Sequence, residues 1–249
     1  MNRELSLFAK TLLRENFGDF ETLLLEFEKS DRKAFVRQHR KLFEKAEFDT
    51  EEYDDIDAEA LFLSFAIQSK QMFFIDWSGE EYSGQVKRAV TKMLNNYKEN
   101  AFKWDTKKFE STLDFSAIKR GEYLPLLFSA IDKQLEILGY RITMFDNFSD
   151  TYYYGLLTNK DMQLVNGLQT DRFSVLDTKI YGAYLIDKGA ERAKMLLYLK
   201  NKFPIPLNEI KIFAAQPEIL LAKGNLIMVS KQKAEAEKMG GKVRIDEIG

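Results

Sequence analysis

The 249-residue chain is 45% apolar and 31% charged, enough for one large domain or two small ones with a well-packed interior. Its near-balance of 37 basic and 39 acidic residues, net −2, argues against a general nucleic-acid binder, whose affinity rests on phosphate neutralisation. It has no cysteine and one histidine, His39, which excludes disulfides, thiolate nucleophiles, zinc–thiolate sites and histidine-rich metal sites.

Leu5, Phe8, Leu12 and Leu13 recur at helical spacing and predict a first helix. Arg3, Glu4 and Lys10 interrupt its apolar character, so it does not read as a secretory signal. No run approaches the roughly 18 apolar residues that span a bilayer. A bridge-free chain of this size suits a reducing compartment, so cytoplasm is the expected address and no membrane partner is expected. Phe20, Leu23, Leu24 and Phe27 mark a second helix. Ser30-Asp31 is a cap for a third, which buries Phe35, Leu42 and Phe43 and carries Arg32, Lys33, Arg37, Arg40, Lys41 and Lys45.

The sign then reverses. Glu47, Asp49, Glu51, Glu52, Asp54, Asp55, Asp57 and Glu59 fall in 47–59 with no basic residue, and mutual repulsion predicts a solvated loop and a domain boundary. A calcium loop starting at Asp49 fails on geometry. Asp54 stands at the sixth position, where glycine makes the turn, and Ala60 at the twelfth, where a bidentate glutamate is needed.

Beyond the acidic stretch, 58–69 reads as helix and 71–77 as a strand ending at Ser78-Gly79. Residues 80–97 form an amphipathic helix with Val86, Val90, Met93 and Leu94 inward. The stretch 101–119 has no clear period. A helix over 123–138 stops at Gly139. Strands over 140–145 and 151–157 flank turn residues 146–150, a hairpin. A short helix follows at 160–168. The last region reads strand 179–187, helix 190–203, short helix 207–215, strand 218–222, helix 226–239 and strand 242–245, with prolines and Gly240-Gly241 as punctuation. The expected fold is α+β: a helical N-terminal segment (1–56), a mixed middle domain (57–170), and a C-terminal domain (171–249) of order β-α-α-β-α-β.

Tyr198-Leu199-Lys200, Leu207-Asn208-Glu209-Ile210-Lys211, Leu221-Ala222-Lys223-Gly224 and the run Ala234 through Gly240-Gly241 to Ile245 resemble the C-terminal domain of the bacterial ribosomal stalk protein. The resemblance covers about a quarter of the chain. It implies a basic helical face that meets translational GTPases, with Arg192, Lys200 and Lys211 at the basic positions; Leu197 departs from the pattern. More weakly, Phe74-Ile75-Asp76-Trp77 and Gly139-Tyr140-Arg141-Ile142 through Asp150-Thr151-Tyr152 resemble an uncharacterised bacterial domain family, some members of which look like accessory or immunity proteins.

Asp76 and Asp146 end strands, with Asp150 and Glu80 close in sequence. Were the strands neighbours, these carboxylates could share Mg²⁺; otherwise they are turn formers and caps. Trp77, Tyr152 and Tyr154 are candidate binding aromatics, the expectation being that one ring of the tyrosine run leaves the core. No phosphate-binding loop, dinucleotide fingerprint or nucleophile elbow occurs, so no cofactor is expected. The functional expectation is a non-enzymatic protein-binding protein with a protein partner and no nucleic acid. The alternatives are a Mg²⁺-dependent hydrolase or nuclease built on the aspartates, and a binder of a translational GTPase.

Overall fold

The computed structural model describes every residue except 77, 117, 119–122, 204, 207 and 249. The chain divides into two compact units, Met1–Thr178 and Lys179–Gly249. Both are α+β, with a helical N-terminus to the first.

Five helices open the first unit: α1 (Arg3–Leu13), α2 (Phe17–Lys29), α3 (Arg32–Gln38), α4 (Arg40–Glu44) and α5 (Ala58–Gln68). Three begin on the side chains that favour a cap. Asn2 accepts from the Leu5 amide at 2.7 Å, Asp31 from Ala34 at 2.9 Å, and Asp57 from Glu59 and Ala60 at 2.8 and 3.0 Å. The third expected helix is two helices, because His39 leaves helical geometry (φ −104°, ψ 21°) between α3 and α4.

Strand β1 (Met72–Asp76) follows, then α6 (Gln85–Asn96), α7 (Thr106–Glu110) and α8 (Tyr123–Ile137). The helix expected from residue 80 starts five residues later. Glu80 instead reaches forward, accepting from the amides of Gly84 (3.1 Å) and Val86 (2.7 Å), so it acts as a cap in place of a first-turn residue. The hairpin β2 (Tyr140–Asp146) and β3 (Thr151–Thr158) then leads to α9 (Asn159–Val165) and β4 (Ser174–Leu176). The four strands form an antiparallel sheet in the order β1-β3-β2-β4.

This sheet is covered on both sides. Met72, Phe74, Phe145, Tyr153 and Val175 point toward a core shared with α1, α2 and α5. Phe73, Ile75, Ile142, Tyr154 and Leu156 point the other way, toward α6 and α8. Burial on both faces explains why β3 has a run of five buried residues and no alternation. Gly155 sits in that run because a Cβ there would lie 2.8 Å from Leu12 of α1 and 3.0 Å from the Gln71 carbonyl; its bare backbone lets α1 close on the sheet.

The N-terminal helices and the sheet therefore share one core, and the expected boundary near residue 56 falls inside a single unit. The expected boundary at 170/171 lies short of β4, whose Val175 and Ser174 pair with Phe145 and Asp146 of β2. A three-residue strand is too short to announce itself by periodicity.

The second unit runs β5 (Tyr181–Asp187), α10 (Arg192–Lys202), α11 (Ile210–Ala214), β6 (Ile219–Gly224), α12 (Leu226–Lys238) and β7 (Lys242–Glu247). This is the expected β-α-α-β-α-β order. The strands are antiparallel, ordered β6-β5-β7, and one sheet face carries Ala183, Leu185, Ile219, Leu221 and Val243 against Met195, Leu199 and Val229 of the helices. Gly240 adopts φ 87° to turn α12 into β7, and a side chain on Gly189 (φ 68°) would collide with its carbonyl oxygen.

Candidate functional site

The aspartates do not assemble. Asp76 pairs with Thr151 on one side of β3, while Asp146 lies on β2 across the other side of β3. Two strand spacings of about 4.8 Å thus separate them. Alternation also sends them apart: Asp76 shares the face of Met72 and Phe74, and Asp146 that of Ile142 and Met144. Each closes a turn, Asp76 accepting from the Ser78 amide at 2.7 Å and Asp146 from Phe148 at 2.8 Å. Asp150 is exposed in the hairpin turn. Among the described residues no group of three or more His, Asp or Glu side chains is placed to hold a metal ion. The carboxylate-cluster reading has no support in this geometry.

The aromatics divide differently from expectation. Trp77 lies outside the described residues. No ring of the tyrosine run lies free of packing, because both sheet faces are core. Tyr154 is fully buried, its ring 4.9 Å from Phe128 of α8. Tyr152 is half-buried against the same Phe128 at 6.2 Å. Tyr153 takes the opposite face, 6.1 Å from Phe74. Burial raises the proton affinity of all three phenols. The Tyr154 hydroxyl has no hydrogen-bond partner among the described residues. Tyr154→Phe removes that unsatisfied group without changing shape, and is expected to stabilise the unit by about 1 kcal/mol in urea unfolding. A loss of stability would mean that the hydroxyl is satisfied.

The basic residues of the second unit are presented outward. Arg192 and Lys200 are exposed on α10, and Lys211 is exposed on α11. None of the three forms an ion pair among the described residues. Each helix also turns an apolar side chain to solvent: Leu197, 58% exposed, and Ile212, 73% exposed. The cause is local. Helix α10 buries Met195 and Leu199, which leaves Leu197 on the outer side. Helix α11 has five residues and buries Ile210, so Ile212 cannot also reach the core. Leu197 is the residue that breaks the stalk-protein pattern; Ile212 escaped sequence reasoning because an Ile-x-Ile pair reads equally as core.

A charged cluster in the first unit carries a pH signature. Glu59 lies 3.0 Å from Arg172, which also bonds Asp57. Desolvation raises the Glu59 carboxyl above its ordinary value; Arg172 opposes this, while Asp57 and Asp171 add to it. A raised folded value means the fold holds a proton that the unfolded chain releases. The associated stability is present below the unfolded pKa and lost as pH rises through the folded one. The stability of Glu59→Gln relative to the parent is therefore expected to grow as pH climbs from below 4.5 to neutrality, measured as paired urea midpoints. A constant difference would contradict the assignment.

A family model described as a domain of unknown function, DUF6630, matches residues 12–172. The chain belongs to this DUF6630 family. The DUF6630 span starts within α1 and ends at Arg172, so it coincides with most of the first unit and takes in the N-terminal helices as well as the hairpin. It agrees with the weak likeness of the middle region to an uncharacterised domain family. No curated protein and no solved structure matches the chain. The stalk-protein likeness has no counterpart among these matches; what stands of it is the element order of the second unit. The outward face of α10 and α11 lies beyond the DUF6630 span. Among the described residues no helix is long and apolar enough to cross a membrane.

Proposed function

We propose that this chain is a non-enzymatic protein-binding protein of the cytoplasm, acting as a bacterial immunity or accessory protein, and that it binds through the α10–α11 face. The observation that carries the reading is that the two helices exposing Leu197 and Ile212 also expose Arg192, Lys200 and Lys211. Large apolar side chains at the surface, on helices whose exposed positive charges form no ion pair among the described residues, fit an interface whose centre is apolar and whose rim is polar. The partner that matches is a protein surface with an apolar contact patch and acidic surroundings, since opposite potentials speed encounter and fix orientation. Affinity capture from native cytosol is expected to recover one stoichiometric protein, and Leu197→Asp with Ile212→Asp is expected to release it. Capture of none would overturn the proposal.

A second reading gives the partner as a translational GTPase. The β-α-α-β-α-β order and the three exposed basic residues at the positions the stalk-protein resemblance implies favour it. Direct titration with an elongation-factor GTPase separates the two: saturable binding supports this reading, and none ends it.

A further inference from the structure

The first unit has a concavity of about 290 Å³ lined by Lys33, Val36 and Arg37 of α3, Arg40 of α4, and Thr50, Glu51 and Tyr53 of the acidic loop. We infer that this concavity binds a small dianionic phosphate monoester. Lys33 and Arg37, one helical turn apart, and Arg40 just past the break at His39 bring three cations to one hollow. Glu51 is the one carboxylate in the lining, so positive charge exceeds negative there by two. Arg40 is engaged by Glu44. Lys33 and Arg37 form no ion pair among the described residues, although a run of carboxylates follows immediately in sequence. Lys33 lies 5.1 Å from the centre of the Tyr53 ring, which seats its ammonium over the loop side of the hollow. Thr50 and Tyr53 bring hydroxyl donors to the same lining.

These features select phosphate chemistry and limit size. A guanidinium fork takes two oxygens of a phosphate in parallel, the ammonium neutralises a third, and the hydroxyls complete a shell of donors. The hollow is at the lower end of small-ligand pockets, which span about 300–1,000 Å³. Glu51 in the lining, with Glu52, Asp54 and Asp55 next to it in sequence, disfavours a long polyanion. That argues for a compact dianion over nucleic acid or an acidic chain.

The test is amide-resolved NMR titration of the full chain at constant ionic strength. The probes are glycerol 3-phosphate, a phosphoserine pentapeptide, and hexaglutamate as the charge-only control. Saturable shifts at Lys33, Arg37, Thr50 and Tyr53 are expected with a phosphate probe, at least tenfold tighter than with hexaglutamate. Arg37→Ala is expected to weaken binding at least tenfold and Arg37→Lys less, since lysine restores charge without the fork. Tighter binding of glycerol 3-phosphate assigns the site to a free metabolite; tighter binding of the pentapeptide assigns it to a phosphorylated protein segment, and both support phosphate chemistry. Equal or tighter binding of hexaglutamate would overturn the inference. So would no saturation by either phosphate probe, or unchanged affinity in Arg37→Ala.

Discussion

Replacing Asp132 with alanine is expected to cost the first unit about 3–5 kcal/mol. Asp132, on α8, is 3% exposed and reaches across to β2. One carboxylate oxygen accepts from Arg141 Nε at 2.8 Å, and the other from the Ile142 amide at 2.6 Å. The second bond has a topological cause. Strand β4 begins to pair with β2 only at Met144, so the outer edge of β2 at Ile142 has no strand beside it. The side chain of Asp132 supplies the acceptor that a longer β4 would have supplied. The first bond neutralises a guanidinium that is itself 7% exposed. Burial pulls the Arg141 proton affinity down, and the Asp132 carboxylate, helped by Glu136 and Asp177, more than restores it, so the net shift is upward. Removing the carboxylate takes away the nearest partner of a buried charge and leaves it to Glu136, 3.3 Å away and half exposed, and to the field of Asp177. Asp132→Asn with Arg141→Met removes both charges and keeps an acceptor for Ile142, so it is expected to lose far less than Asp132→Ala. Both tryptophans, Trp77 and Trp104, lie in the first unit, so tryptophan fluorescence during urea unfolding reads this unit alone. A double variant as unstable as Asp132→Ala would refute the ion-pair account.

Phe145→Ala is the second large effect, again about 3–5 kcal/mol. Phe145 is 1% exposed, and its ring lies 5.6 Å from Phe8 of α1, 5.8 Å from Phe62 of α5 and 4.8 Å from Phe173 before β4. It therefore joins the N-terminal helices, the sheet and the last strand of the unit. Truncating it opens a cavity at the point where all three meet. A double-mutant cycle with Phe8→Ala is expected to show coupling of about 0.5–1.5 kcal/mol. If 1–56 were a domain of its own, the two losses would simply add.

The second unit was legible in the sequence because its punctuation is chemical. Pro206 stands before α11, Pro217 and the Gly240-Gly241 pair follow helix ends, and the intervening apolar spacing fills in the elements. The first unit was harder to read. Its helices and hairpin show their periods, but nothing local says that α1, α2 and α5 cover one face of the hairpin and α6 and α8 the other. That fact turned Tyr154 from a candidate binding residue into core, and it carried Asp76 and Asp146 to opposite faces. The same limit applies to the hollow at Arg37. The sequence places a basic helix before an acidic loop and says nothing of which charges meet. In the folded chain Lys33 and Arg37 form no ion pair among the described residues, while Asp57 turns to Arg172, 115 residues away. Arg192, Lys200 and Lys211 were readable because charged residues on short helices of a small domain have little choice but the surface.

In the proposed function the protein binds its partner through α10 and α11. The most direct measurement is the dissociation constant of the captured partner for the parent chain and for Arg192→Glu, Lys200→Glu, Lys211→Glu combined. The three sites are exposed and without ion-pair partners among the described residues, so the variant is expected to keep the parent's circular dichroism and melting temperature. Its affinity is expected to fall at least a hundredfold, with most of the salt dependence lost. A folded variant that binds its partner as tightly as the parent would contradict the account.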